Sequence, residues 1–451
     1  MIPFRAFRAF RAFRACCAAL VILAPVQPQA AQAYQLTDLL GPWKLHSSAS
    51  GPGAPWWERA RATIGADGGV TASTDYSTGE TGTVQGTFQL SPTGIVTLAE
   101  SATLRGSLTP GTTVMVLTDT WDDGPPGTTE MKVGLKCVGS YVTADLAGDW
   151  EINSIASGPG APWWQRGRVT VNAGGSFTGV FTDNAGEVDP VSGQFTMSPD
   201  GSFTFSGSPT AQGAMDAGRS VVVLTSTWTD YMPGTVDLSV GVKMAASYTL
   251  ADLAGTWEMS SLATGPGSPW WSRAHLTVAA NGTFSGTIVN STGGSGPMSG
   301  SFAITPQGVI TRSGLASARG VLDAHKSVMV WTDTWSTGSP GTSEMFVATR
   351  TSGATVSMDP VFVPRFELQA AFPNPSSGRT PRVLLCLPSA EPAQLEVWDV
   401  AGRRIASREV GPLGAGQHLL DVVEGGTLGP GLYLVRLRQG RNAQLTRVVV
   451  F

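Results

Sequence analysis

The sequence repeats itself with a period of 107 residues. Tyr34, Tyr141 and Tyr248 open three matching segments, and the copies stay in register without a gap to about residue 353. A strict period of this length makes each copy a complete structural unit, so whatever one copy folds into, the chain holds three of them. Comparison between copies then separates what the unit needs from what is free to vary.

The recurring positions fall into two groups. One is turn chemistry: Gly41, Gly148 and Gly255, the GPG triplets, and the Pro-Gly pairs at 126–127, 233–234 and 340–341. Glycine supplies positive φ and proline presets φ for a turn. The other is aromatic. Twelve of the 14 tryptophans stand at shared positions, among them Trp43, Trp150 and Trp257 and the adjacent pairs of a "PWWxR" motif. Short β-rich runs lie between the turns. The third copy reads as strands near 256–263, 271–279, 283–290, 298–304, 308–313, 318–322, 327–335 and 343–350. The one helical suggestion is a single turn in "TLADLAG". With charged residues at only 14% and 56 glycines, the chain is all-β. Each copy is expected to close as an eight-stranded meander barrel, which removes edge strands. The alternative is two four-stranded blades per copy and a six-bladed propeller.

"LAGTWEMSS" in the third copy resembles the glycine-x-tryptophan opening of calycin barrels, the lipocalin and avidin superfamily, and "LTVAANGTFSGTIV" is similar to the second hairpin of avidin-like chains. The resemblance implies that the opening tryptophan packs on a basic residue late in the barrel. Lys136, Lys243 and Arg350 are placed to do this for Trp43, Trp150 and Trp257. No biotin-contacting set is carried over.

The two ends of the chain read differently. "MIPFRAFRAFRAFRA", then "CCAALVILAPV" and "AQA", have the pattern of a secretory signal over 1–33, with an apolar stretch too short to span a bilayer. The repeats occupy 34–140, 141–247 and 248–353, and 354–365 is a linker. Residues 366–451 resemble the type A C-terminal sorting domain of type IX secretion substrates, itself similar to the Ig-like domain of flagellar hook-capping proteins. "AAFPNPSSG", "LEVWDVAGRRI", "GPLGAGQHLLDV", "GPGLYLVRLRQG" and "TRVVVF" carry the resemblance. Its motif positions here are Phe372, Pro373, Asn374, Pro375, Asp399, Gly402, Gly431 and Tyr433. It implies an Ig-like β-sandwich, export by outer-membrane secretion machinery, and display on a bacterial surface or release.

Chemistry is sparse. The four histidines occupy different repeat positions, and the middle copy has none, so no His site is repeated per unit. HExxH, GxSxG, P-loop and calcium-loop patterns are absent, and neither a cofactor nor a metal is expected. The net charge is −4. Without the four N-terminal arginines the remainder stands at −8, which excludes a basic nucleic-acid face. Once the signal is removed only Cys137 and Cys386 remain, too few for a disulfide framework. Asp38, Asp145 and Asp252 read as turn caps. Glu130, Asp237 and Glu344 read as solvated partners of the late basic residues. Loop acids such as Asp75 and Asp183 could serve a hydrolase, but nothing selects them.

The candidate ligand-binding residues are therefore Trp56, Trp57 and Arg59, Trp163, Trp164 and Arg166, and Trp270, Trp271 and Arg273. Adjacent strand residues face opposite ways, so one ring of each pair is buried and the other faces out or into a lumen. There it would suit a carbohydrate or surface polymer. The competing reading makes the motif a packing device, with its loop folded over the ring and the arginine stacked on it. The function expected is a secreted, surface-displayed, non-enzymatic binding or adhesion module. A secreted hydrolase and a passive spacer are the alternatives.

Overall fold

The computed structural model describes residues 33–121, 127–158, 162–229, 232–336, 339–352, 366–368, 376, 381–413, 416–423 and 426–451. The expected signal segment and the Phe372–Pro375 motif lie outside them.

Each copy is a closed antiparallel barrel of eight strands. In the first these are β1 (Gly41–Ser50), β2 (Trp56–Ile64), β3 (Gly69–Tyr76), β4 (Thr81–Leu90), β5 (Ile95–Leu98), β6 (Arg105–Leu108), β7 (Val114–Thr120) and β8 (Thr129–Lys136). β1 closes the barrel by pairing with both β2 and β8, with Trp43 opposite Ala62 on one side and Lys136 on the other. Because every sheet closes on itself, the six-bladed propeller does not form.

A short 3₁₀ turn precedes each first strand, at Leu36–Leu39, Thr143–Leu146 and Leu250–Leu253. The recurring aspartates cap it. Asp38, Asp145 and Asp252 accept the backbone N–H of Gln35, Val142 and Thr249 at 2.9, 2.9 and 2.7 Å. The same turn plugs one end of the barrel. Buried Trp43, Trp150 and Trp257 donate their indole N–H to the carbonyls of Leu39, Leu146 and Leu253 at 2.6, 2.7 and 2.8 Å. Lys136, Lys243 and Arg350 lie over those rings at 5.3, 5.5 and 4.7 Å, the expected Trp–cation pairing in all three copies.

The barrels form a ring rather than a string. The outer faces of β7 and β8 and of their equivalents meet in one central core, where Val116, Val133, Val223, Val240, Val330 and Val347 pack together. Three-fold equivalent hydroxyls gather at one point: Ser157 Oγ lies 2.7 Å from Thr264 Oγ1, and Ser50 Oγ 3.2 Å from Thr264 Oγ1. β7 and β8 are thus buried on both faces, which accounts for the unbroken apolar run of "VMVL".

The C-terminal region is a sandwich of two sheets. One holds Glu367–Leu368, Arg382–Leu387 and Gly416–Asp421. The other holds Arg404–Glu409, Ala393–Asp399, Gly431–Gln439 and Asn442–Val450. Val383, Leu385, Leu395, Val397, Val435 and Leu437 fill the space between them.

Candidate functional site

The "PWWxR" motif divides between two tasks, and strand alternation decides which residue does which. On β2, Trp57 and Arg59 point out of the barrel, while Trp56, Glu58, Ala60 and Ala62 face its interior. The outward ring is not free. Trp57 is 8% exposed, Trp164 4% and Trp271 8%. Their indole N–H groups donate to Thr227, Thr334 and Thr120 of the next barrel, each at 2.7 Å. Arg59 donates to the carbonyls of Thr210 and Thr225 at 2.6 Å, and Arg273 to those of Thr103 and Thr118 at 2.6 Å. Arg166 reaches the carbonyls of Ser317, Arg319 and Thr332 at 3.2–3.3 Å. Each guanidinium stacks on its own tryptophan, at 3.9, 4.2 and 3.8 Å from the ring centroid.

The direction is cyclic: the first barrel clasps the second, the second the third and the third the first. Head-to-tail contacts that return to their start close a ring. Trp57, Arg59, Trp164, Arg166, Trp271 and Arg273 are therefore seam residues, unavailable to a carbohydrate or polymer. The arginine does stack on the ring, but the neighbouring barrel covers the pair rather than the motif's own loop. Burial pulls the Arg59 guanidinium down to about 10, still charged at neutral pH. The same seam takes in His46, whose Nδ1 lies 3.1 Å from Thr225 Oγ1. Burial first, then Arg59 and Lys44, hold its pKa well below the usual histidine range.

The inward rings, Trp56, Trp163 and Trp270, stand at the barrel ends away from the plug. They pack edge-on against Trp121, Trp228 and Trp335 at 5.1, 5.2 and 5.5 Å. Behind them lie Glu130, Asp237 and Glu344. These acids are fully buried rather than solvated, and they pair with lumen groups rather than with Lys136, Lys243 and Arg350. Trp121 donates to Glu130 at 2.8 Å and Trp335 to Glu344 at 2.5 Å. Asp237 is one methylene shorter and takes the Ser226 hydroxyl instead, leaving Trp228 Nε1 without a partner among the described residues.

The interiors behind these mouths differ. The first barrel encloses a cavity of about 340 Å³. In the second a void of about 40 Å³ remains among Phe195, Phe203 and Trp150. In the third, Trp331 stacks on Phe346 at 4.8 Å and meets Phe302 edge-on at 6.2 Å. The cause is readable position by position. Ala62, Val70, Leu117 and Lys132 of the first copy become Val169, Phe177, Leu224 and Ser239 in the second, then Leu276, Phe284, Trp331 and Phe346 in the third. Ala62 and Val70 give way to larger side chains in both other copies, while Leu117 and Lys132 give way to larger aromatic rings only in the third.

The first lumen also holds a lysine, Lys132, which the other copies replace with Ser239 and Phe346. Lys132 Nζ donates to Glu58 at 2.6 Å and to Glu130 at 2.7 Å. Burial opposes the lysine's charge, but the two carboxylates outweigh it and hold its pKa above the ordinary value. Burial raises that of Glu130, which Lys132 counters and Glu58 reinforces. Glu58 becomes Gln165 and Ser272 in the other copies.

The loop acids have structural work. Asp75 pairs with Arg61 at 2.9 Å, and Asp183 accepts the N–H of Ala185 and Glu187 at 2.9 Å. Among the described residues no group of three or more His, Cys, Asp or Glu could hold a metal ion, and no helix is long and apolar enough to cross a membrane. In the sandwich, Asp399 accepts the N–H of Ala401 and Arg403 at 3.0 and 2.9 Å, Gly402 turns the chain at φ 77°, and Tyr433 donates to Gly429 at 3.0 Å. Gly431 lies at the start of the strand that follows.

No protein-family model and no curated protein matches this sequence. Among solved structures, similar ones include isotype 1 transferrin binding protein B from serogroup B Neisseria meningitidis, at 11% identity and TM-score 0.24 over 65% of this chain and 66% of that one. Another is a double-mutant form of the vaccine antigen transferrin binding protein B from Haemophilus parasuis Hp5, at 9% identity and TM-score 0.24 over 70% and 76%. This chain spans just under two thirds of the first of them. A likeness this faint bears on neither the ligand nor the details of the fold.

Proposed function

We infer that this is a secreted, surface-displayed, non-enzymatic binding protein whose ring of barrels is a scaffold and whose ligand site is the lumen of the first barrel. The observation that carries the reading is the cavity of about 340 Å³ in the first barrel. Ligand sites have volumes of about 300–1,000 Å³ and mostly apolar walls with a few convergent polar groups. The first lumen has an apolar floor of Leu45, Ala60, Ala62 and Phe88, and a polar rim. The test is titration of the purified chain with octanol, followed by intrinsic tryptophan fluorescence, since Trp56 and Trp121 stand at the mouth. Octanol should change the emission of the wild type and leave Ala62→Leu, which carries the side chain of the third copy, unchanged. No response from the wild type would remove the reading.

The export part of the proposal is supported by the sorting-domain resemblance and by the sandwich of 366–451. Deletion of that segment should trap the protein in the periplasm; unchanged surface display would sink it.

A further inference from the structure

We propose that the first lumen selects an amphiphilic amine: a primary ammonium head held at the mouth, with an apolar body in the floor. This rests on the lumen being the ligand site. Three independent features of the first copy converge on it.

The first is aromatic. Trp56 packs edge-on against both Tyr76 and Trp121, at 5.8 and 5.1 Å, so three aromatic rings cluster at the entrance. Ring faces attract ammonium groups, most strongly where water is excluded. Tyr76 becomes Asp183 and Asn290 in the other copies, so the cluster loses a ring there.

The second is charge. Glu58, Asp119 and Glu100 line the cavity, and Glu130 sits behind Lys132. Four carboxylates face one ammonium, and Lys132 is already engaged by two of them. Glu100 is exposed at the rim, where its carboxylate accepts the Thr87 N–H, and Asp119 accepts the Ser101 hydroxyl, so the rim carries negative charge that attracts a second cation and repels an anion. Glu100 becomes Gly207 and Gly314 in the other copies.

The third is an unmet polar group. Thr74 is buried on the same face of β3 as Ala72 and Tyr76, which line the cavity, and its hydroxyl has no hydrogen-bond partner among the described residues. Buried hydroxyls are almost always satisfied, and an N–H of a bound amine can donate to it.

The experiment is calorimetric titration of the full chain at neutral pH with three probes of equal tail: octylammonium, octanol and octanoate. The ammonium should bind about tenfold more tightly than octanol, with octanoate weakest. Tyr76→Asn, the residue of the third copy, and Glu58→Gln should each weaken ammonium binding more than octanol binding, bringing the ratio between them toward one. Circular dichroism of both variants confirms that they fold, and Tyr76→Asn disturbs no buried ion pair. Equal or tighter binding of octanol or octanoate overturns the amine assignment and leaves lumen binding standing. Failure of all three probes to bind overturns the lumen reading and the amine assignment together.

Discussion

Single residues show how closely the three copies keep their architecture while their chemistry diverges. Glu344 is the clearest case. It is fully buried, it accepts from Ser261 and Trp335 at 2.5 Å, and burial pushes its pKa from 4.5 up to about 7. The folded state therefore favours the neutral carboxyl. The stability this preference contributes is whole below 4.5 and is lost as pH rises through about 7. The loss amounts to roughly 3 kcal/mol. Denaturant titrations across this range should show the decline in the wild type, and Glu344→Gln should flatten it. Lys132, by contrast, is held in its charged form. Lys132→Met leaves Glu58 and Glu130 buried without their cation and should cost about 3–5 kcal/mol at pH 7. The deficit should shrink as pH falls, because burial raises the pKa of Glu130 and it takes up a proton. A cost that does not depend on pH would assign Lys132 a packing role instead.

At the scale of elements, the strands were legible and the seams were not. Turn residues bracket each run, and the strands read from the third copy match those observed, for example 283–290 against Thr283–Asn290 and 327–335 against Val328–Thr334. The seam left little trace because Arg59, Arg166 and Arg273 bond mainly to backbone carbonyls, which any residue supplies. The acceptors also lie some 150–170 positions away. One signal was present. A barrel standing alone would alternate along β7, yet "VMVL" is apolar on both faces, and the third copy repeats this with "VMVW". The buried acids were misjudged because a carboxylate on a strand ordinarily means solvent, and only the lumen shows otherwise. The cavity lay in the differences between copies, such as Ala62 against Leu276, while the repeated motif drew attention to what they share. The β6–β7 hairpin carries a prediction of its own. Thr112 sits at φ 55°, as do Arg219 and Lys326 at φ 56° and 59° in the equivalent hairpins. A β-branched residue is strained in this left-handed region, so Thr112→Gly should stabilise the protein by about 0.5–1 kcal/mol, measured by chemical denaturation.

On the scale of the whole molecule, the three clasps are chemically alike but not equivalent in the chain. Two of them join barrels that are already covalent neighbours, first to second and second to third. The clasp of Trp271 and Arg273 joins the third barrel to the first, which no linker ties directly. A tether keeps a broken contact at high local concentration, so the same loss should have a smaller structural consequence where the barrels are neighbours. Each Trp→Ala in a seam should cost about 3–5 kcal/mol from lost burial. The double variant Trp271→Ala/Arg273→Ala should also open the ring, seen as an increased radius of gyration in small-angle scattering and faster proteolysis between the first and third barrels. Trp57→Ala/Arg59→Ala should lose comparable stability while keeping a compact ring, because the central valines and the clasp of the third barrel still hold the first in place. Equal expansion in both variants would mean that the shared core, rather than the clasps, closes the ring. The threefold "PWWxR" would then owe its repetition to its inward tryptophans.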